Sequence, residues 1–276
     1  MNKNKPLVSV VMSIYNTERY LTQAIESILS QTLGNFELIL VNNGSTDKTS
    51  QIIYKFKKED KRIRLINNRK KLRIGESLNN AIDQAKSDII ARMDPDDISL
   101  PNRLEVQYAF MQTHPNVAIV GNDIIIIDEY GKVIGKRTYP TTSNGLKKML
   151  FRYSSFAHPT VMFKKQPFKE VGGYDPDKHP CEDIDLWFRL GRNHAFASIP
   201  FFLLKYRVLI NSGSHQNLTH TEFLGLKIKI DAIRKYGYRP ILYDIVYIIL
   251  QFTTLWFMPF AARIRLYNLL RGKNLI

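Results

Sequence analysis

The first hundred residues alternate short apolar runs with amphipathic helical segments, and this alternation limits the possible folds more than any other feature. The apolar runs cover residues 7–14, 36–41, 63–66 and 88–91. Each has the length and the β-branched content of a strand that is buried on both faces. Because a helical pattern follows each run, the sequence predicts a parallel, doubly wound sheet.

The second half of the chain loses this regular alternation. Its expected strands cover residues 117–120, 123–127, 133–139, 160–163, 195–199 and 203–208, and its expected helices cover residues 101–111, 144–151 and 183–190. Short strands without intervening helices favour some antiparallel pairing. We therefore expect an α/β domain over residues 1–219, with a Rossmann-type mixed sheet flanked by helices.

The amino-acid composition limits the classes of binding partner that suit this chain. Of the 276 residues, 44% are hydrophobic, which suffices for a sizeable core. The formal net charge of +15 favours anionic partners: nucleic acid, lipid headgroups or phosphorylated small molecules. The single cysteine, Cys181, excludes an internal disulfide and fits a reducing compartment. The N-terminus shows no apolar signal region, so we expect a cytoplasmic protein.

Three carboxylates crowd around a proline directly after the fourth apolar run. Asp94, Asp96 and Asp97 surround Pro95, which cannot continue a strand ladder. The acids are therefore expected on a turn beyond the carboxyl end of a strand, where open α/β sheets bind ligands. A solvated acidic turn is the alternative. Hard oxygen ligands placed this close suit Mg²⁺ or Mn²⁺.

Polar residues also end two neighbouring strands. Tyr15 and Asn16 follow the first run, and Asn42 and Asn43 follow the second. Each pair alone is typical of an ordinary turn. Because three expected strand ends converge on one edge of the sheet, the sequence predicts a nucleotide site there.

A second acidic cluster begins an expected helix. Glu182, Asp183 and Asp185 are placed where carboxylates interact favourably with the helix dipole, so capping is one interpretation. The other is a general base, with Trp187 one turn further on as an aromatic surface for a sugar. Glu182 and Asp185 compete with Asp183 for the base role.

Three basic or aromatic candidates stand apart from these clusters. His158 precedes Pro159 and is either a core histidine or a ligand-contacting one. Arg207 follows an apolar strand, where a guanidinium can clamp a diphosphate. Arg73 lies in the basic loop 69–73, which could do the same, although runs of charge are usually solvated.

From about residue 220 onwards the composition shifts, and residues 220–276 form an expected helical tail. Residues 224–236 have a basic amphipathic pattern, and residues 245–262 are uncharged. The uncharged segment just reaches the length of a spanning helix, but it contains polar residues and lacks charge asymmetry. An interfacial helix, a membrane span and a packed core helix all remain open for it.

Taken together, these motifs resemble the inverting glycosyltransferases of family 2, which have the GT-A fold. The resemblance rests on six motifs in the same order, within residues 7–214. They lie at residues 8–16, 36–47, 92–97, 158–160, 172–174 and 182–187. The tail lies outside the resemblance.

The resemblance implies roles for individual residues. Asp94 and Asp96 would hold Mn²⁺ or Mg²⁺ against a diphosphate, and Asp183 would take the proton of the acceptor. On the donor side it implies Tyr15, Asn16, Asn42 and Asn43, and the argument from charge adds Arg73 and Arg207. The acceptor-side residues are His158, Glu182 and Trp187. Two positions depart from the family pattern: Asn42 and Asn43 stand where acids are usual, and Leu209 where a histidine is frequent.

The resemblance thus implies a metal-dependent enzyme that moves a sugar from a nucleotide sugar, with UDP favoured, to a glycan or lipid-linked hydroxyl. We expect it at the inner face of a bacterial membrane, without nucleic acid and with the oligomeric state open. A sugar nucleotidyltransferase is one rival, but it needs a glycine-rich loop where this chain has Tyr15-Asn16-Thr17. A non-enzymatic basic protein explains the charge but not the two acidic clusters.

Overall fold

The computed structural model describes residues 5–209, 218–258 and 262. Within them, nine strands form one mixed sheet with the order β3-β2-β1-β4-β8-β6-β9-β5, and β7 pairs with β6. The strands are β1 (Val8–Ile14), β2 (Phe36–Asn42), β3 (Ile63–Asn67), β4 (Ile89–Met93), β5 (Ile98–Ser99), β6 (Val117–Ile127), β7 (Val133–Arg137), β8 (Met162–Lys164) and β9 (Ala195–Arg207).

The described residues form nine α-helices, which flank this sheet or make up the tail. They are α1 (Leu21–Leu29), α2 (Thr49–Glu59), α3 (Ile74–Gln84), α4 (Arg103–Thr113), α5 (Ser143–Met149), α6 (Lys165–Glu170), α7 (Glu182–Asn193), α8 (Leu218–Tyr236) and α9 (Leu242–Phe257). The mixed α/β fold expected from the sequence is confirmed. The two-residue strand β5 and the short helix α6 were not predicted.

The first four strands are parallel and form the part of the sheet that the alternation predicted. β1 pairs with β2 and β4, and β2 pairs with β3, all in parallel register. Every residue of β2 is buried, in keeping with helices on both faces. Parallel strands place their carboxyl ends on one edge, so residues 15–16, 42–43 and 94–97 all follow strands at that edge.

The remaining strands add antiparallel pairs and one long parallel pair. β8 runs antiparallel to β4 and β6, whereas β6 and β9 are parallel. The sequence predicted a break within each of these last two strands. Instead both continue, because the pairing shifts register between Asn122 and Asp123 and again between Asp123 and Ile124, opposite the segment around Pro200. A bulge absorbs the irregular residues without ending the ladder.

The helical tail is hydrogen-bonded to α7, and its two helices are hydrogen-bonded to each other. Tyr238 Oη donates a 3.1 Å hydrogen bond to the backbone oxygen of Phe188 in α7, and Lys229 Nζ in α8 donates a 2.7 Å bond to Gln251 Oε1 in α9. The predicted boundary between residues 219 and 220 falls inside α8 and stays a prediction. None of the helices in the described ranges is long and apolar enough to cross a membrane. Part of the uncharged segment, residues 259–261, lies outside the described residues.

Candidate active site

The acidic turn after β4 gathers its three carboxylates into one cluster. One oxygen each of Asp94, Asp96 and Asp97 lies within 4.8 Å of the others. The strand ends at Met93 because Pro95 supplies no N–H for a further ladder bond. The sequence assigned the metal to Asp94 and Asp96, and the structure adds Asp97 to the group.

The electrostatics of the turn fit a bound cation. Burial and the charge of Asp94 raise the pKa of Asp96 to about 7. Burial beside Asp96 also raises the pKa of Asp97 well above its usual range. Among the described residues, the buried Asp97 Oδ2 has no hydrogen-bond partner. Carboxylates that repel each other in a desolvated place are relieved by a divalent ion with oxygen ligands, so the residues fit Mg²⁺ or Mn²⁺.

A buried arginine supports the first acid of the cluster. Arg92, almost wholly buried in β4, forms an ion pair through Nη1 with Asp94 Oδ2. Its backbone oxygen accepts a 2.7 Å hydrogen bond from Nη2 of Arg103, which is itself fully buried. Sequence analysis gave Arg92 no role of its own. A charged residue inside an otherwise apolar strand was the signal for it, since such groups are rarely buried without a partner.

Arg207 lies at this turn, but its guanidinium is already hydrogen-bonded within the protein, whereas a diphosphate-binding arginine was expected to be available for the ligand. Its Nε donates to the backbone oxygen of Asp96 at 2.7 Å, and its Nη2 donates to Gln23 Oε1 at 2.9 Å. Nη1 donates to the backbone oxygens of Asp128 and Glu129. All three nitrogens therefore bind protein acceptors. In the structure Arg207 braces the acidic turn, and the contact with a diphosphate stays a prediction.

The residues that follow β1 form a network with the loop after β2. Asn16 has a positive φ of 50°, and its Oδ1 accepts a 2.8 Å hydrogen bond from the backbone N–H of Thr46. Asparagine tolerates this backbone conformation better than most residues. The neighbouring Tyr15 is exposed, and Lys71 Nζ lies 3.9 Å from the centroid of its ring. An exposed aromatic ring at this edge is suited to stacking on a base.

Asn42 and Asn43 end β2 and are both buried. Asn42 Oδ1 accepts from the N–H of Ser45 at 3.1 Å, and its Nδ2 donates to Ser50 Oγ at 3.0 Å. Asn43 Nδ2 donates to the backbone oxygen of Leu72, and its Oδ1 accepts from the N–H of that residue. Asn43 thus fixes the loop before α3, whereas the predicted base contact of Asn42 requires sharing an amide that already binds protein.

Arg73 directly precedes α3 as its N-cap residue. Its backbone N–H donates to Glu76 Oε2 at 3.0 Å, and its Nη1 donates to Asp177 Oδ1 at 2.7 Å. Both side chains of the Arg73–Asp177 pair are largely exposed. An exposed ion pair contributes little to stability, so its guanidinium can be redirected at small cost.

The three carboxylates at the start of α7 differ in their hydrogen-bond and ion-pair partners. Glu182 Oε2 lies 3.2 Å from Nδ1 of His179, and Asp185 Oδ2 lies 2.6 Å from Nη2 of Arg189. Asp183 Oδ1 accepts a 2.8 Å hydrogen bond from the N–H of Ile184 and forms no ion pair within the described ranges. Desolvation, reinforced by the charge of Glu182, raises the pKa of Asp183 to about 7. A carboxylate with this pKa is suited to act as a base near neutral pH.

Trp187 does not provide the predicted aromatic surface for stacking on a sugar. The Trp187 side chain is 0% exposed. Its ring packs edge-on against Phe156 and His158, with centroids 5.5 and 6.0 Å away. Trp187 follows Asp183 by one turn, but its ring is enclosed by Phe156 and His158, whereas Asp183 lies at the helix end. Apolar burial on the core side of α7 therefore decided its position.

The contacts of His158 favour the interpretation of this residue as a core histidine. Its Nε2 lies 2.8 Å from Tyr174 Oη, within hydrogen-bond distance. Burial and the charge of Arg92 lower the pKa of His158 well below its usual range, so the ring is neutral. Its contact with an acceptor stays a prediction.

Solved structures with the same architecture are glycosyltransferases of the GT-A class. The chain superposes on S. aureus TarS 1-349 in complex with UDP-GlcNAc with a TM-score of 0.67 and 18% identity, covering 83% of this chain and 68% of that one. The mannosyltransferase PcManGT from Pyrobaculum calidifontis, in complex with GDP-Man and Mn²⁺, gives a TM-score of 0.65 and 17% identity, covering 92% and 70%. At this identity the likeness establishes the fold.

The family follows from sequence comparison. The family model described as Glycosyl transferase family 2 matches residues 9–172. EpsE of Bacillus subtilis is 41% identical over 187 residues, which are 67% of this chain and 66% of EpsE. The O-antigen biosynthesis glycosyltransferase WbnJ of Escherichia coli is 36% identical over 223 residues, covering 78% and 85%. The chain belongs to glycosyltransferase family 2, and it is a glycosyltransferase enzyme.

Proposed function

We propose that this enzyme transfers a sugar from a nucleotide-diphosphate sugar to an acceptor hydroxyl, with metal assistance and inversion at the anomeric carbon. One observation carries the proposal: the carboxylates occur in two different arrangements. Asp94, Asp96 and Asp97 are gathered within 4.8 Å, whereas Asp183 stands in a separate element without a cationic partner among the described residues. The first arrangement suits a cation and the second suits a proton acceptor.

On the donor side, Asp94, Asp96 and Asp97 are the residues that would hold Mn²⁺ or Mg²⁺. A divalent cation there would neutralise the charge that develops on the departing diphosphate. The protein prepares this place by burying Asp97 and by bracing the backbone of Asp96 with Arg207. Tyr15, Asn16 and Asn42 lie at the neighbouring strand ends and would bind the nucleoside.

On the acceptor side, Asp183 would remove the proton. As the acceptor oxygen attacks the anomeric carbon, its proton moves to the Asp183 carboxylate, and the bond from that carbon to the diphosphate oxygen breaks. A base works best when its pKa is close to the working pH, and burial brings the pKa of Asp183 to about 7. Attack opposite to the leaving group inverts the configuration.

Relatives support the choice of substrates. The structures of TarS and PcManGT contain UDP-GlcNAc and GDP-Man, which supports a nucleotide-sugar donor, and we favour a UDP-sugar. WbnJ bears a name from O-antigen biosynthesis, which supports a glycan or lipid-linked acceptor in the synthesis of cell-surface polysaccharide. Such an acceptor would place the enzyme peripherally on the inner face of the plasma membrane.

Calorimetry and turnover together test the function. UDP-sugars and GDP-sugars are titrated into the protein with Mn²⁺ and with EDTA, and hydrolysis of the bound donor is followed by chromatography. We expect metal-dependent binding of a nucleotide sugar and slow release of the nucleoside diphosphate. Metal-independent binding would refute the proposed role of the acidic turn. With pyrophosphate added, formation of a nucleoside triphosphate and a sugar-1-phosphate would show a nucleotidyltransferase instead.

A further inference from the structure

The last described helix has its polar face inward and its apolar face outward. Asp244, Tyr247 and Thr254 of α9 are buried. Asp244 lies 3.0 Å from Nε of Arg152, and the ring of Tyr247 packs edge-on against Tyr153. The opposite face is exposed and carries Leu242, Ile245, Val246, Ile249, Phe252 and Phe257. A helix on the surface of a soluble globular protein has its apolar face inward and its polar face outward. The exposed apolar face of α9 therefore indicates a docking surface.

A basic cleft opens at the start of the same helix. It has a volume of about 340 Å³ and lies between α5, the end of α7 and the connection from α8 to α9. Four cations line it: Lys147, Lys148, Arg192 and Arg239. In the described part of the chain, none of the four lies within ion-pair distance of a carboxylate. The acid that also lines the cleft, Asp244, is paired with Arg152.

The cleft and the apolar face meet at the start of α9, where the exposed Ile241 lines the cleft and Leu242 begins the apolar face. Apolar side chains and unpaired cations that meet in this way match the chemistry of an anionic bilayer. Lipid phosphates would satisfy the cations, and the outer face of α9 would lie among the upper acyl chains. A protein partner would need both acidic and apolar groups in the same arrangement. The overall charge of +15 adds long-range attraction to the same surface.

We propose that this cleft binds the phosphate headgroups of anionic phospholipids while the apolar face of α9 inserts at the membrane interface. The proposal rests on the proposed peripheral location of the enzyme and specifies which surface contacts the bilayer. Arg192 follows Asp183 by nine residues in α7, about 14 Å along the helix axis. The bilayer contact thus lies at the other end of the helix that carries the proposed base, which leaves the active site uncovered.

Vesicle flotation tests the cleft. The full chain is mixed with vesicles of phosphatidylcholine, with or without phosphatidylglycerol. The cleft variant carries Lys147→Gln, Lys148→Gln, Arg192→Gln and Arg239→Gln. The matched control loses four exposed lysines at the distant helix α2 and its end, through Lys55→Gln, Lys57→Gln, Lys58→Gln and Lys61→Gln. Both variants lower the net charge by the same amount.

We expect the parent to bind only the vesicles that contain phosphatidylglycerol. Each cation near the surface contributes roughly fivefold to partitioning, so the cleft variant should bind at least tenfold more weakly than the control. Equal losses of vesicle binding in the two variants would refute the lipid-binding role of the cleft, because net charge alone would then explain the binding. Failure of the parent to bind anionic vesicles would overturn it as well.

The apolar face is tested in the same assay. Val246→Ser with Ile249→Ser should weaken vesicle binding severalfold, whereas Val133→Ser with Phe201→Ser, at exposed positions elsewhere, should leave it unchanged. Light scattering of the parent gives the oligomeric state. A dimer that is abolished by the α9 variant and binds no vesicles would overturn the proposal and assign the face to a second copy of the chain.

Donor binding separates this proposal from the proposed function. All four variants should bind the nucleotide sugar in calorimetry like the parent, because none of the substituted residues lies at the acidic turn. Normal donor binding without vesicle binding by the parent would refute the membrane contact alone. Vesicle binding without donor binding would refute the proposed function alone.

Discussion

The backbone N–H of Arg207 donates a 2.7 Å hydrogen bond to Oδ1 of Asp97, which precedes it by 110 residues. The end of β9 thereby holds the acidic turn that follows β4, although the two strands are not neighbours in the sheet. The same arginine extends its guanidinium to the backbone oxygen of Asp96. Position and orientation of two carboxylates in the proposed metal site therefore depend on one residue of a distant strand.

Arg207→Lys tests this bracing. A lysine cannot reach the acceptors of three guanidinium nitrogens at once, and hydrogen bonds from charged groups contribute more than neutral ones. We expect the free energy of unfolding in urea to fall by about 3 kcal/mol. Affinity for Mn²⁺ should fall as well. The control Arg69→Lys, at an exposed loop position, should change stability by less than about 0.5 kcal/mol. An unchanged Mn²⁺ affinity in Arg207→Lys would contradict the bracing role.

Asp183→Asn separates catalysis from helix capping. Asparagine keeps the shape and the capping oxygen but cannot take up a proton in this way, so turnover should fall by roughly 10²-fold or more with donor affinity unchanged. Glu182→Gln is the matched control: its carboxylate faces His179, and its loss should reduce turnover much less. Turnover of Asp183→Asn near the parent rate would assign the residue to capping.

The pH dependence follows from the same residue. The pKa of Asp183 is raised to about 7, so the fraction of active base, and with it kcat, should decline as the pH falls below 7. For stability the sign is opposite to that of a salt-bridged carboxylate. The unfolded state loses this proton near its ordinary pKa of 3.8, before the native state does, so the group lowers stability as pH rises from about 4 to 7. Asp183→Asn should therefore raise the Tm at pH 8 more than at pH 4, as measured by calorimetry.

Asp97→Asn and Asp96→Asn test the metal site without relying on activity. Mn²⁺ should raise the Tm of the parent by binding the native state, and each substitution should reduce that shift. Asp88→Asn, an exposed acid before β4 that pairs with Lys5, should keep the full shift. A full Mn²⁺ shift in both cluster variants would refute the assignment of the ion to this turn.

Asn42→Asp tests the nucleoside position. The present amide accepts from Ser45 and donates to Ser50, and a carboxylate can accept from both of these groups. It would also accept more strongly than an amide from the ring N–H of uracil or thymine. We expect UDP to bind severalfold more tightly by calorimetry, while Asn43→Asp should loosen the loop that Asn43 holds. Weaker binding of both uridine and thymidine donors by Asn42→Asp would contradict this placement.

The parallel half of the sheet, and the edge that carries the site, could be predicted from the amino-acid sequence. Hydrophobic runs of strand length and the helices between them are local patterns, and they predicted β1 to β4 within a few residues. Pro95 marked the end of β4 without any knowledge of its neighbours. Strand direction then placed Asn16, Asn42 and Asp94 on one edge, because parallel strands share their polarity.

The roles of residues with distant contacts became clear from the folded chain and could not be predicted from local patterns. Trp187 became part of the core and Arg207 became a brace, because burial and hydrogen-bond partners come from elements 31 and 110 residues away in the chain. The outward apolar face of α9 likewise depends on the partner that Arg152 offers to Asp244. Side-chain periodicity tells which residues share a face, but the neighbouring elements determine whether that face is buried.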